Sequence, residues 1–213
     1  MKIRNIIFDF GGVIINIHHA KVEKAFNDLG VAEFDKLFNK ATQSDIFKKL
    51  EVGTISPEFF RNTLRKIIGK EIQDQELDKA WNQIIGNYPP HRIELLEKLK
   101  NSYRLFLLSN TNNIHYDYYI QKFKSEYGFE FSSLFEKTYW SFKMRERKPD
   151  HSSFSFVLED SNLIANETLF IDDSIQNIVA AKQMGFQTVH LKSDIDLADL
   201  FHPDSLIYSG IKE

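Results

Sequence analysis

The chain has 213 residues, a length that suits one domain of ordinary size or a core with a modest insertion. Of these residues, 42% are hydrophobic and 27% charged, which is ordinary for a soluble globular protein. Its net charge of −3 does not favour binding to nucleic acid or to an anionic membrane. Because the chain has no cysteine, disulfide bonds, thiolate catalysis and cysteine metal sites are excluded. No apolar stretch resembles a signal peptide or a membrane-spanning helix, so we expect a cytoplasmic protein.

Five short apolar runs predict β-strands at residues 3–9, 103–109, 136–140, 168–172 and 186–191. Helical periodicity fills most of the intervals, which predicts an α/β fold with a parallel sheet covered by helices on both faces. Ser174 is the predicted N-cap of the helix after the fourth run, and Gly185 is its predicted end. The core is therefore predicted to be Rossmann-like, with three α/β/α layers.

Residues 17–88 break this alternation, because they form consecutive predicted helices. Gly30, Gly69 and Gly86 end the three helical patterns, and Ser56 and Pro57 begin the second. We therefore predict a helical cap at 17–88, inserted into a core made of 1–16 and 89–213. Such an insertion could cover the ends of the strands as a lid.

Polar side chains lie at the ends of three predicted strands and in one later loop. They are Asp9, Ser109, Lys148 and the pair Asp172–Asp173. Ligands of open parallel sheets bind beyond the carboxyl ends of the strands, so we expect these side chains to converge there. Lys148 is predicted to precede a helix that has Pro149 in its first turn.

A reactive carboxylate at Asp9 would have two acidic neighbours, Asp172 and Asp173, and a phosphate dianion would add more negative charge. Two like charges about 4 Å apart repel by roughly 4 kcal/mol at an effective dielectric of about 20. The expected compensation is Mg²⁺, which prefers oxygen ligands, with Lys148 as a second cation. Ser109 and the amides of the following helix would donate to phosphate oxygens. Asp9 would form an aspartyl phosphate that water hydrolyses, so the pattern indicates a phosphatase.

Each of these residues also has an ordinary structural explanation when it is considered alone. A single aspartate at a strand end is most often a turn former, and residues 109–111 read as a helix cap. Lys148 alone reads as a solvated surface lysine, and either member of the acidic pair could be a cap. Their order, each at a predicted element boundary, favours the functional interpretation.

The four segments resemble the motifs of the haloacid dehalogenase superfamily, in the branch (subfamily IA) with a helical cap after the first strand. The resemblance covers essentially the full length and implies a magnesium-dependent phosphatase. It implies Asp9 as the nucleophile and Lys148 as a catalytic and phosphate-binding residue, with Ser109 and Asn110 as further phosphate-binding residues. The metal ligands that it implies are Asp9, the backbone carbonyl of Gly11, Asp172 and Asp173.

The chain departs from that family pattern at Gly11. Most phosphatases of the superfamily carry a second aspartate there as general acid and base, which is typically worth ~10²–10⁴-fold in rate. A sub-branch with glycine at this position resembles the chain closely and contains sugar-phosphate phosphatases. We expect substrates whose leaving groups depart unprotonated, such as sugar 1-phosphates, acyl phosphates or aryl phosphates. Alternatively, His18 or His19 could donate a proton through water, although an ordinary exposed histidine is the commoner case.

The predicted cap is expected to select a small phosphorylated metabolite. Candidate contacts are Phe47, Glu51, Trp81 and Asn82, although Phe47 and Trp81 fit a cap core better. Two alternatives stay open. One is metal-independent carbon–halogen hydrolysis, which would not need the acidic pair. The other is a catalytically weak protein that binds phosphometabolites or another protein. A phosphorylated receiver domain fits poorly, because of the large insertion.

Overall fold

The computed structural model describes residues 2–31 and 45–201, so part of the predicted cap and the end of the predicted core lie outside the described residues. The described strands are β1 (Asn5–Phe8), β2 (Arg104–Ser109), β3 (Lys137–Trp140), β4 (Thr168–Asp172) and β5 (Gln187–His190). They form one parallel sheet in the order β3-β2-β1-β4-β5. Each predicted run contains one of these strands, and the predicted parallel α/β fold is confirmed.

Most of the described helices lie in intervals where helical periodicity predicted them, but the helix at Ile46–Glu51 was not predicted. In chain order they are α1 (His19–Asp28), α2 (Ile46–Glu51), α3 (Pro57–Ile68), α4 (Asp74–Trp81), α5 (Pro90–Leu99), α6 (Asn113–Tyr127), α7 (Ser141–Met144), α8 (His151–Asp160) and α9 (Ile175–Gln183). Short 3₁₀ segments lie at Asn82–Ile84, Phe131–Leu134, Ala165–Glu167 and Leu197–Leu200. None of the helices in the described part of the chain is long and apolar enough to cross a membrane.

Successive side chains of the central strand β1 enter two different cores, as the two-residue period of a strand requires. Ile6 and Phe8 pack in a cluster that includes apolar residues of α5 and α6. Ile7 packs in a second cluster with Phe154 of α8 and Ile178 of α9. Helices therefore cover both faces of the sheet, which gives the predicted three layers.

The helices α1 to α4 lie between β1 and β2 in sequence and pack in two apolar clusters, one of which also includes Ile114 of α6. The chain enters and leaves this region through two adjacent segments, since Ile17 forms a β-bridge with Ile85. The N–H of Gly86 donates to the Asn16 carbonyl at 2.8 Å, and a Cβ on Gly86 would lie 2.5 Å from that oxygen. The close approach of the two segments therefore requires glycine. The division into a core and a cap at residues 17–88 stays a prediction.

One local prediction was wrong, whereas a second was confirmed in position but without the expected side-chain hydrogen bond. Pro149 does not lie in the first turn of a helix, because Asp150 has extended dihedral angles (φ −61°, ψ 129°) and α8 begins only at His151. Ser174 does occupy the N-cap position of α9, but its side chain makes no capping hydrogen bond. The N–H of Ser174 instead donates to Asp172 Oδ1 at 2.8 Å.

Candidate active site

The order of the strands places the predicted site at the centre of the sheet. β1 lies between β2 and β4, so the segments that follow these three strands are neighbours. The N–H of Asp9 continues the pairing with β4 by donating to the Ile171 carbonyl at 2.8 Å. A cleft of about 970 Å³ opens there, and its walls include Asp9, Ser109, Lys148 and Asp173. Four segments far apart in sequence therefore meet at one cleft.

Lys148 joins two of the acidic side chains. Its Nζ lies 2.5 Å from Asp9 Oδ1 and 2.6 Å from Asp172 Oδ2, and the lysine side chain is only 1% exposed. Burial by itself lowers the pKa of Lys148, but the charges of Asp172 and Asp9 outweigh it, and the pKa is raised. The buried ammonium therefore stays charged. The alternative that Lys148 is a solvated surface lysine is wrong.

Asp9 differs from an ordinary turn-forming aspartate in its environment. Burial raises the pKa of its carboxyl to about 7, against the opposing charge of Lys148. Even so, 13% of the side-chain surface is exposed, and the residue lines the cleft. Asp9 is therefore a largely desolvated carboxylate that a ligand in the cleft can reach.

Asp172 is held by donors on both oxygens. Oδ1 accepts from the Ser174 N–H, and Asn177 Nδ2 lies 3.0 Å from each oxygen. Oδ2 also accepts from Lys148 Nζ. The carboxylate is completely buried, so its contacts fix its orientation. Asn177 was not predicted from the sequence. The available signal was a polar residue on an otherwise apolar helix face.

Asp173 completes an acidic cluster. Asp9, Asp172 and Asp173 each place one carboxylate oxygen within 4.8 Å of the others. Partial burial, followed by the charge of Asp172, raises the pKa of Asp173. Gly12, with φ of +73°, lies against this side chain, and a Cβ there would be 2.2 Å from Asp173 Oδ2. Three converging carboxylate oxygens are a donor set that suits a hard cation such as Mg²⁺.

Asn110 has a different structural role from the predicted one. Its Nδ2 donates to the Lys148 carbonyl at 2.8 Å, and its Oδ1 accepts from the Lys148 N–H at 2.9 Å. The side chain therefore fixes the backbone of the lysine loop. A phosphate contact by Asn110 stays a prediction, and the second N–H of Nδ2 could make it without breaking these bonds. Ser109 ends β2 at the cleft wall, and Asn112 is the N-cap of α6.

The predicted cap contacts are partly found at the cleft. Phe47, Glu51 and Trp81 line it, whereas Asn82 is buried and is not among the lining residues. Glu51 Oε2 lies 3.1 Å from both Nε and Nη2 of Arg147, a residue that the sequence did not single out. This ion pair links α2 to the residue before Lys148.

The two histidines considered as proton donors differ in position. His19 lines the cleft, whereas His18 lies at a neighbouring cavity that also contains Arg92. Of the two, only His19 is therefore placed to serve as a proton donor in this cleft, and that role stays a prediction.

The model of the family described as haloacid dehalogenase-like hydrolase matches residues 6–191. The chain belongs to this family. A D-ribitol-5-phosphate phosphatase of Bacteroides thetaiotaomicron is 35% identical over 194 residues, which are 91% of this chain and 94% of that protein. A family enzyme of the same organism, crystallised with magnesium and inorganic phosphate, is 36% identical, with a TM-score of 0.88 over 94% of this chain and 100% of the other.

A third similar protein is a family hydrolase of Porphyromonas gingivalis, 33% identical, with a TM-score of 0.85 over 93% of this chain and 96% of the other. The family and the fold class predicted from the sequence are confirmed. The predictions of a phosphatase and of magnesium as its cofactor are also confirmed, by these relatives and by the acidic cluster. The substrate and the roles of individual residues are not decided by these likenesses.

Proposed function

We propose that the protein hydrolyses the phosphate ester of a small sugar or sugar alcohol, with the Asp9 carboxylate as nucleophile. The observation that carries this proposal is the position of Lys148 Nζ between Asp9 and Asp172, at a cleft that Asp173 also lines. A buried lysine that orients a reachable carboxylate is the arrangement that attack on a phosphate requires. The relative that acts on D-ribitol 5-phosphate supports the choice of substrate class.

In the first step, a carboxylate oxygen of Asp9 attacks phosphorus, and the bond from phosphorus to the ester oxygen breaks. The substrate alcohol leaves with the electron pair of that bond, and Asp9 carries the phosphoryl group as an acyl phosphate. In the second step, water attacks this phosphorus, and its proton is released as inorganic phosphate leaves. Asp9 returns to its carboxylate form, so the cycle needs no other reactant.

Lys148 and Ser109 would stabilise the phosphoryl group during both steps. The ammonium of Lys148 offsets negative charge that builds up on phosphate oxygens, and the Ser109 hydroxyl donates a hydrogen bond to one of them. Asn110 would act through Lys148, because its side chain forms hydrogen bonds with both the backbone N–H and the carbonyl of that residue. Asp172 would likewise orient the ammonium.

The acidic cluster is the expected magnesium site. Asp9, Asp173 and the Gly11 carbonyl would be direct ligands, and Asp172 would act directly or through water. When bound, magnesium would neutralise carboxylate and phosphate charge and align the phosphate with the nucleophile. Burial, together with the charge of neighbouring carboxylates, raises the pKa values of Asp9 and Asp173, and a bound cation would favour their ionised forms.

Gly11 supplies no acid, so the leaving group must depart unprotonated or take its proton from another donor. The preference for sugar 1-phosphates stays a prediction. The relative named for D-ribitol 5-phosphate acts on a primary ester that has no anomeric carbon. If this chain acts on such esters, water or the cleft-lining His19 would have to protonate the leaving oxygen.

The test is a phosphate-release assay with D-ribitol 5-phosphate, glucose 1-phosphate, glucose 6-phosphate and p-nitrophenyl phosphate. Each is measured with Mg²⁺ and with EDTA. We expect release that depends on Mg²⁺, and Asp9→Asn should lower it by at least about 10³-fold. The matched control is Asp117→Asn, which changes an exposed aspartate of α6 in the same way.

Two outcomes would overturn the proposal. Undiminished activity of Asp9→Asn would show that this carboxylate is not the nucleophile. Undiminished activity in EDTA would favour the metal-independent alternative, for which three converging carboxylates have no use. Binding of phosphorylated metabolites without turnover of any would favour the catalytically weak alternative.

A further inference from the structure

One wall of the cleft is a stack of three rings. Trp81 lies between Phe47 and His115, with ring centroids 5.1 Å and 5.2 Å apart and interplanar angles of 13° and 18°. All three residues line the cleft, and His115 belongs to α6. The indole Nε1 of Trp81 is buried without a hydrogen-bond partner among the described residues. The described residues therefore leave one hydrogen-bond donor of the stack, the indole N–H, without an acceptor.

The imidazole of His115 is held in one tautomer. Its Nδ1 lies 2.9 Å from Asn82 Oδ1, an oxygen that can only accept a hydrogen bond. With the Asn82 amide in this orientation, Nδ1 carries the proton, and Nε2 of the neutral ring has a lone pair. Asn82 is itself buried, at the end of the α4 region, so the predicted cap fixes the orientation of a ring that belongs to the predicted core.

The ring also stays uncharged in neutral solution. Burial lowers the pKa of His115 to about 3. Within the described residues, Nε2 has no hydrogen-bond partner, although the ring lines the cleft that contains Asp9. The cleft therefore presents a neutral acceptor beside the ring of Trp81, six residues after Ser109 in the sequence.

We propose that His115 determines substrate specificity by accepting a hydrogen bond at Nε2 from a hydroxyl group of the substrate. This inference rests on the proposed function and deepens it. A hydroxyl can donate to this nitrogen, whereas a carboxylate or a second phosphate cannot, and the lone pair repels such an anion. The favoured substrates are therefore phosphate esters of neutral polyhydroxylated chains, and phosphorylated sugar acids are disfavoured.

The experiment compares two kinds of substrate, with and without hydroxyl groups. D-Ribitol 5-phosphate and glucose 6-phosphate carry hydroxyl groups, whereas p-nitrophenyl phosphate carries none. His115→Phe keeps a ring for the stack and removes both nitrogens. We expect kcat/KM for the better hydroxyl-bearing substrate to fall by about tenfold or more. The value for p-nitrophenyl phosphate should change by less than about twofold.

Controls separate this inference from general damage and from the proposed function. His151→Phe, at an exposed histidine of α8, should change neither substrate. If His115→Phe does not fold, as judged by circular dichroism, the same ratio is measured for His115→Met, because a flexible side chain fits irregular space. Wild-type selectivity is measured with 6-phosphogluconate against glucose 6-phosphate, and the sugar acid should be the poorer substrate.

Three results would overturn the assignment of His115. They are an equal loss for both substrates, no loss for either, and a wild-type enzyme that hydrolyses p-nitrophenyl phosphate but no hydroxyl-bearing ester. A wild-type protein that hydrolyses none of these compounds with Mg²⁺ would instead contradict the proposed function.

Discussion

Replacement of Lys148 by methionine tests the electrostatic design of the site, because it keeps the length of the side chain and removes its charge. The N–O distances of 2.5 Å and 2.6 Å correspond to an attraction of about 6 kcal/mol for each pair at an effective dielectric of about 20. Much of this is offset, because burying each ion costs several kcal/mol.

The variant would leave Asp9, Asp172 and Asp173 with oxygens within 4.8 Å of one another and no cation. At that distance, each charged pair repels by about 3.5 kcal/mol at the same dielectric. Protonation of Asp9 could relieve part of this repulsion, because burial already raises the pKa of its carboxyl to about 7, but the other two carboxylates would still lack a cation. We therefore expect Lys148→Met to lower the free energy of unfolding by about 3–5 kcal/mol without metal.

The measurement is urea denaturation at pH 8 in EDTA, repeated with millimolar Mg²⁺. The matched control is Lys182→Met, at an exposed lysine of α9, which should change stability by less than about 0.5 kcal/mol. Mg²⁺ should stabilise Lys148→Met more than the wild type, because the ion replaces part of the missing charge. A loss below about 1 kcal/mol in EDTA would refute the claim that Lys148 holds two ionised carboxylates together.

Three further predictions concern backbone space, the missing acid and pH. Gly12→Ala should lower the free energy of unfolding by about 1–2 kcal/mol, because residue 12 has a left-handed backbone. It should also weaken the affinity for Mg²⁺, measured from activity, by about tenfold or more, because the new Cβ would displace Asp173. Gly69→Ala has the same φ of 73° in open space, so it should show only the stability loss. Gly11→Asp should raise kcat for glucose 6-phosphate by about tenfold or more and leave p-nitrophenyl phosphate nearly unchanged; equal effects on both would contradict the role assigned to the missing acid. Because the pKa of folded His115 is about 3 and that of the unfolded residue is near 6.5, the unfolded state takes up the proton first as the pH falls. The contribution of His115 to the free energy of unfolding should therefore drop by about 2 kcal/mol between pH 7.5 and pH 5. It is measured by urea unfolding as the difference between the wild type and His115→Phe, and equal pH slopes for the two proteins would contradict this.

The sequence was sufficient to predict which segments converge. Asp9, Ser109 and Asp172 each end a run of apolar residues, and parallel strands bring such ends to one edge of a sheet. The prediction needed no knowledge of side-chain geometry, because it depended only on strand direction and on the central place of β1. Lys148 lies in no strand, so it was a candidate only as a cation before a predicted helix, and the resemblance to a known family supported it.

The contacts within the site could not be predicted in the same way, because they depend on the path of loops and on tertiary packing. The double contact of Lys148 arises from the loop that Asn110 holds, 38 residues away in sequence. Asn177 is a polar residue on an otherwise apolar helix face, but this pattern does not show that its partner is Asp172. The neutral state of His115 depends on burial and on Asn82, which lies 33 residues earlier.

The two backbone segments that pair through Ile17 and Ile85 have a practical consequence. The N–H of Asn16 donates to the Asn87 carbonyl at 3.1 Å, so the points at which the chain departs from the sheet region and rejoins it are almost in contact. A foreign helical unit with similarly close termini could be grafted between them without stretching either junction. The nucleophile, the lysine and the acids would then stay in place while the surface above them is exchanged, which makes this junction a natural position for engineering new substrate ranges.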